Sequence, residues 1–199
     1  MDLDWLPTSS IRATASAVLG GVGGLFASDG PVHRASLVLY ADSALPGGTE
    51  LLTPGSTVDA LVRMGVDGEF RTLCLKVPDA YGPGRDQDFL LASSADGIPF
   101  HHAVLPAQRL DSRLFSSLWL YLAGIEPVVF GLRAEKIAQP GGLSDGDRFD
   151  FLISSAVGRF RSVGSLTIEG EGDTRARSFA GTNTGGGLRA LPPALFYRG

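Results

Sequence analysis

Three histidines, His33, His101 and His102, and a single cysteine, Cys74, are the side chains here best suited to proton transfer, metal ligation or nucleophilic attack. His33 stands in Val32-His33-Arg34-Ala35 at the head of an extended run. There an imidazole serves either as a proton carrier or as a strand-end side chain bonded to a backbone carbonyl. His101 and His102 are adjacent, and neighbours in an extended chain point to opposite faces. No Cys-x-x-Cys or glutamate lies close by to complete a ligand set, so no metal site is expected. Cys74 lies between Leu73 and Leu75 and reads as a buried small hydrophobe. Asp145, Asp147 and Asp150 suggest a calcium loop only superficially, since the closing glutamate is missing; a turn with solvated carboxylates is expected. Ser93 and Ser94 lack the Gly-x-Ser-x-Gly elbow of a serine hydrolase. The run Gly20 to Gly24 lacks the P-loop lysine and a preceding strand, so it reads as a flexible connection.

The elements that must position these residues are mostly strands. Ala35–Tyr40 and Val58–Met64 are short apolar runs bounded by Leu45-Pro46-Gly47-Gly48 and Thr53-Pro54-Gly55. Phe70–Val77 alternates most cleanly: Arg71, Leu73, Leu75 and Val77 share one face, and Thr72, Cys74 and Lys76 the other. Phe149–Ser154 and Phe160–Ile168 read as two further strands joined by a turn at Ala156-Val157-Gly158. Ahead of these two strands, Leu110, Leu114, Leu118 and Leu122 recur every four residues, which predicts a helix over 109–122 with Asp111 or Ser112 capping its start and Phe115, Trp119 and Tyr121 packed in the core. The expected class is mainly β with helical additions, an antiparallel barrel or sandwich. The expected organisation is a single domain over 1–199, with an N-terminal arm over 1–30, a barrel over 31–170 carrying a helical insertion near 109–123, and a surface-wrapping tail over 171–199.

Composition narrows the function classes. The chain has 199 residues, 44% hydrophobic and only 19% charged, with 27 glycines and 12 prolines. That charge content is too low for a coiled coil or a disordered tail, and one cysteine cannot staple a disulfide scaffold. Fifteen arginines and two lysines against 21 acidic residues give a net charge of −4, so no basic stripe is expected to meet nucleic acid or an anionic membrane. The uncharged stretch Ala13–Ser28 is too short and glycine-rich to span a bilayer, and the opening Met1-Asp2-Leu3-Asp4 is unlike an export signal. The expected location is cytoplasmic.

Three segments in order resemble the front half of a haem catalase. Val32-His33-Arg34-Ala35 is similar to the family's Val-His-Ala-Lys stretch, which carries the distal histidine. Leu61-Val62-Arg63-Met64-Gly65 resembles the Val-Arg-Phe-Ser strand whose arginine faces the haem propionates. Arg71–Val77, followed by Asp86-Gln87-Asp88-Phe89-Leu90-Leu91, resembles the Arg-Gly-Leu-Ala-x-Lys strand and its Asp-Phe-Leu continuation. A fainter similarity runs through 149–168.

The resemblance implies a catalase-like antiparallel β-barrel. It places His33 as the distal proton carrier, Arg63 as the carboxylate anchor, Arg71 and Tyr197 as further haem contacts, and Ser94 where the family has its distal asparagine. Two departures stand out. Serine replaces that asparagine, and Tyr197 lacks the arginine four positions earlier that accompanies an axial tyrosinate; Pro193 stands there instead. The implied cofactor is haem and the implied chemistry peroxide-linked oxidation, a peroxidase- or catalase-like oxidoreductase activity rather than efficient peroxide dismutation. The alternative from a different class is a haem-free barrel that binds a small apolar molecule or acts as an interaction scaffold. A homodimer is expected in either case.

Overall fold

The protein is described by a computed structural model covering Thr8, Ser10 and residues 24–172 and 178–199. The glycines Gly20–Gly23 and most of the expected 1–30 arm lie outside the described residues. Among the described residues from 24 onward, ten strands follow one another with almost no helix. They are β1 (Val32–Leu39), β2 (Thr57–Asp67), β3 (Phe70–Val77), β4 (Gln87–Ser94), β5 (Leu114–Ser116), β6 (Tyr121–Ala123), β7 (Glu126–Lys136), β8 (Arg148–Ser155), β9 (Arg161–Glu171) and β10 (Leu188–Ala190). Two short 3-10 turns, Phe100–His102 and Ala194–Phe196, are the helical elements within residues 24–172 and 178–199.

Every ladder is antiparallel, and the order β7-β5-β4-β3-β2-β1-β9-β8 closes on itself because β7 also pairs with β8. The result is a closed eight-stranded antiparallel barrel. Closure leaves no exposed edge within the ring. β6 and β10 extend the sheet beyond β7. The two-residue β2–β3 hairpin turns at Gly68, whose φ of 56° suits a residue without a Cβ.

The ladders fix which face of each strand is inside. Val62, Leu75 and Phe89 stand opposite one another on β2, β3 and β4. The Phe89 ring reaches Phe130 of β7 at 4.7 Å and Phe151 of β8 at 5.9 Å. Since β4 is paired with neither β7 nor β8, those contacts cross the barrel, and this face is its interior. Leu37, Leu75, Phe130, Phe149, Phe151 and Leu166 are likewise buried, so the barrel is filled by its own side chains.

β3 and β4 are buried along nearly their whole length, on both faces. The outer face of this wall is covered by Leu25 and Phe26 from one end of the chain and by Phe179 and Tyr197 from the other. Tyr197 packs on Phe26 with ring centroids 4.8 Å apart. The last segment is held by reciprocal bonds: the Phe179 N–H donates to the Gly199 carbonyl at 3.1 Å, and the Gly199 N–H to the Phe179 carbonyl at 2.8 Å.

The helix expected over 109–122 is not formed. Residues 114–116 and 121–123 are β5 and β6, two pieces of an interrupted strand alongside β7, with Leu118 at φ 57° in the break. Two adjacent serines supply the physical reason. Ser116 Oγ donates to the His101 carbonyl and accepts the Leu118 N–H, while Ser117 Oγ donates to the Trp119 carbonyl and accepts the Phe130 N–H. Side chains that bond backbone in this way compete with helix. Three of the four leucines are buried, in different places: Leu110 and Leu118 join the main core, whereas Leu114 packs with Val129, Leu152 and Phe160; Leu122 is half-buried. Phe115 and Tyr121 are core residues on strands, and Trp119 packs against the core partly buried.

Candidate functional site

Alternation separates the residues that the catalase resemblance nominates. On the β1–β2 ladder His33 stands opposite Val62, and Arg63 stands opposite Val32. Directly paired residues share a face and successive ones alternate, so His33 lies on the interior face with Val62, and Arg63 on the outer face. Ser94 belongs to the outer set of β4 with Asp88, Leu90 and Ala92, four residues along from the Leu90 that pairs with Cys74. Arg71 lies at the far end of β3 opposite Val66, where its guanidinium donates to the Gln108 carbonyl. Tyr197 is under the C-terminal cover, on the same outer wall as Arg63. The structure therefore brings Arg63 and Tyr197 to the outer wall, with Ser94 on the same face farther along β4, and leaves His33 on the interior face and Arg71 at the far end of β3.

A haem spanning all the nominated residues would have to lie on both faces of one sheet at once. The set does not fit a single flat group.

What the outer wall does assemble is a buried polar cluster. Arg63 is 8% exposed, and its Nε and Nη2 are buried without a hydrogen-bond partner. Its guanidinium carbon lies 4.6 Å from the centre of the Phe179 ring. Cys74, directly across the ladder from Arg63, has its thiol pushed up to about 12 by burial, which outweighs the favourable guanidinium beside it. The thiol therefore stays protonated and inert at neutral pH, in keeping with the small hydrophobe expected from sequence.

Next along β3, Lys76 is 2% exposed and meets two carboxylates, Asp86 at 2.9 Å and Asp88 at 2.8 Å. Asp88 is fully buried and also accepts the Ala180 N–H and the Asn183 Nδ2–H, each at 2.8 Å. Burial raises the Asp88 carboxyl above the usual carboxylate range, opposed by the hydrogen bond and charge of Lys76. Tyr121 Oη lies 3.4 Å from the Asp88 carbonyl. Tyr197 Oη is buried with no partner, and its hydroxyl is raised by desolvation.

Lys76, Asp86, Asp88 and Asn183 were not singled out by sequence reasoning. A signal existed: Lys76 is one of only two lysines in the chain, it lies on the cleanest alternating strand, and Asp86-Gln87-Asp88 opens the next one. Alternation alone showed a mixed face on β3; it did not show that face to be covered.

The histidine pair also departs from its expected arrangement. His101 and His102 lie on a 3-10 turn rather than in extended chain, and their Nε2 atoms are 2.8 Å apart, each 3.3 Å from the Ala156 carbonyl. His102 Nδ1 donates to the Leu118 carbonyl at 2.7 Å, which leaves its Nε2 as an acceptor for His101. Two imidazoles joined by one hydrogen bond account for the geometry. Among the described residues no group of three or more His, Cys, Asp or Glu side chains could hold a metal ion. Asp147 differs from the solvated carboxylate expected of it: it is 1% exposed and accepts the Ala138 and Ser144 N–H groups. Among the described residues no helix is long and apolar enough to cross a membrane.

A scan against protein-family models finds no match, and no curated protein matches the chain.

Proposed function

We propose that this chain is a haem-free, catalase-like barrel that binds a small apolar molecule carrying a carboxylate on the outer wall of β2–β3–β4, with Arg63 as its anchor. One observation carries the proposal: Arg63 is buried with two guanidinium nitrogens unpartnered. A buried, unpaired charge is costly, and a bidentate carboxylate is the group that matches the guanidinium fork. Phe26, Phe179 and Tyr197 supply apolar surface around it. Entry requires the Phe179–Gly199 backbone pair to part. Peroxide chemistry has no support from the placement of His33, whose ring belongs to the filled interior side.

Thermal unfolding in the presence of naphthoate, decanoate or haemin, each compared with its neutral amide or ester, tests this. Carboxylates are expected to raise Tm where their neutral counterparts do not, since a ligand bound only to the folded state stabilises by mass action. The Arg63→Leu variant is expected to lose the effect. A stoichiometric Soret band with haemin that disappears in His33→Ala would overturn the proposal in favour of haem-linked peroxide oxidation.

A second reading, an interaction scaffold, is favoured by the barrel end where Ile125 is 93% and Val157 75% exposed. These two side chains cap the β6–β7 and β8–β9 hairpins beside a groove lined by Pro46, Pro127 and Arg159. Such an apolar rim suits a homodimer contact. Sedimentation equilibrium is expected to give a two-chain mass that falls to one chain in the Ile125→Asp, Val157→Asp double variant.

A further inference from the structure

Lys76 and Asp88 face each other directly across the β3–β4 ladder. Both are withdrawn from water, with side chains 2% and 0% exposed. The Lys76 Nζ lies 2.8 Å from Asp88 Oδ1 and 3.0 Å from Oδ2. An amine touching both oxygens of a carboxyl is also in contact with its carbon, within the separation of roughly 3–3.5 Å from which reacting atoms proceed.

Four further contacts give this pair more than the geometry of an ion pair. Asp88 Oδ2 accepts N–H groups from Ala180 and Asn183, each at 2.8 Å, so two donors already point at an oxygen that gains negative charge when the carbon is attacked. Asp86 Oδ2 lies 2.9 Å from the same Nζ, on a side chain 28% exposed, where it can accept a proton and pass it on. The Phe179 ring, 5.4 Å from Nζ, closes the apolar side. Burial raises the Asp88 carboxyl and so favours its neutral form.

We propose that Lys76 and Asp88 join in an intramolecular amide that crosslinks β3 to β4 after folding, with Asp86 as the proton carrier. One proton first passes from the Lys76 ammonium to the Asp88 carboxylate, giving a neutral amine and a neutral acid. The carboxyl turns about its Cβ–Cγ bond to present its face, and the Nζ lone pair forms the Nζ–Cγ bond. The charge that develops on Oδ2 is held by the N–H donors. The Cγ–Oδ1 bond then breaks, and Oδ1 leaves as water, carrying its own proton and a second one taken from Nζ by Asp86. One water is lost, nothing is oxidised or reduced, and a buried pair of charges becomes a neutral amide.

The intact mass of the purified, denatured full chain tests this directly: it is expected to fall about 18 Da below the mass of the sequence, the loss of one water. Fragment spectra are expected to join the peptide containing Lys76 to the one containing Asp88. Lys76→Arg is expected to restore the full sequence mass. Asp86→Ala leaves both reacting groups in place and is expected to accumulate the full-mass form, converting slowly. A wild-type chain that is folded by circular dichroism yet has its full sequence mass overturns the proposal. A loss of about 17 Da also overturns it, because ammonia would then have left and Asn183 would be the partner.

Discussion

His33 and Arg63 stand one step out of register on neighbouring strands, His33 opposite Val62 and Arg63 opposite Val32. Each is buried, at 7% and 8% exposure, yet the sheet lies between their side chains. The proton carrier and the carboxylate anchor nominated by the catalase resemblance therefore cannot act on one ligand, and Arg63 keeps its own, separate role on the outer wall.

The isolation of Arg63 has a consequence for stability. Replacing an unpaired buried charge by an apolar side chain of similar reach removes a desolvation penalty, so Arg63→Leu is expected to stabilise the ligand-free protein by about 1 kcal/mol or more. Lys76→Met is the contrasting case. It strands Asp88 beneath the C-terminal segment and is expected to cost about 3–5 kcal/mol. Urea unfolding of the two variants checks both signs.

Alkali should weaken the fold through Cys74. Its thiol is raised by burial from 9.0 to about 12. The folded state therefore holds its proton more tightly than the unfolded chain, so the stability this provides is complete below pH 9 and is lost as pH rises toward 12. Urea midpoints at pH 8 and pH 10.5 are expected to differ less in Cys74→Ala than in the natural sequence. In the native protein the thiol is expected to resist a disulfide reagent until unfolding exposes it.

Acid acts through the histidine pair. Burial first, and then the neighbouring His102, lowers the His101 ring below 6.5. Here the unfolded chain binds the proton more readily, so the contribution is complete above pH 6.5 and is lost as pH falls below it. Protonation also places a proton on His101 Nδ1, which is buried with no hydrogen-bond partner to receive it. Going from pH 7 to pH 5 is expected to lower the urea midpoint of the natural sequence more than that of His101→Phe.

Phe89 touches three other rings of the interior, Tyr121, Phe130 and Phe151. Truncating it leaves a cavity in the middle of a barrel that has no other material to fill it. Phe89→Ala is expected to cost about 3–5 kcal/mol, read from urea unfolding. Phe89→Leu should recover part of that loss.

Local pattern alone determined much of this molecule. The alternation over 70–77 and the apolar runs bounded by glycine and proline turns gave β1, β2, β3, β8 and β9 close to their observed places, because side-chain period and turn chemistry act within a few residues. The same pattern divided β3 into two faces. It could not say which face is inside, since that depends on the pairing of β7 with β8, more than fifty residues further along the chain. Nor could it show that the second face is covered, because Phe179, Asn183 and Tyr197 reach Arg63, Lys76 and Asp88 only after the barrel has closed. The segment from 109 to 122 makes the same point from the other side. Its leucine spacing is that of a helix, but the hydrogen bonds of Ser116 and Ser117 to distant backbone and the free edge of β7 decided for strand. Composition and periodicity specified the wall of the barrel; the buried cluster on it was made by contacts between residues as far apart in the chain as Arg63 and Phe179, which only the tertiary structure brings together.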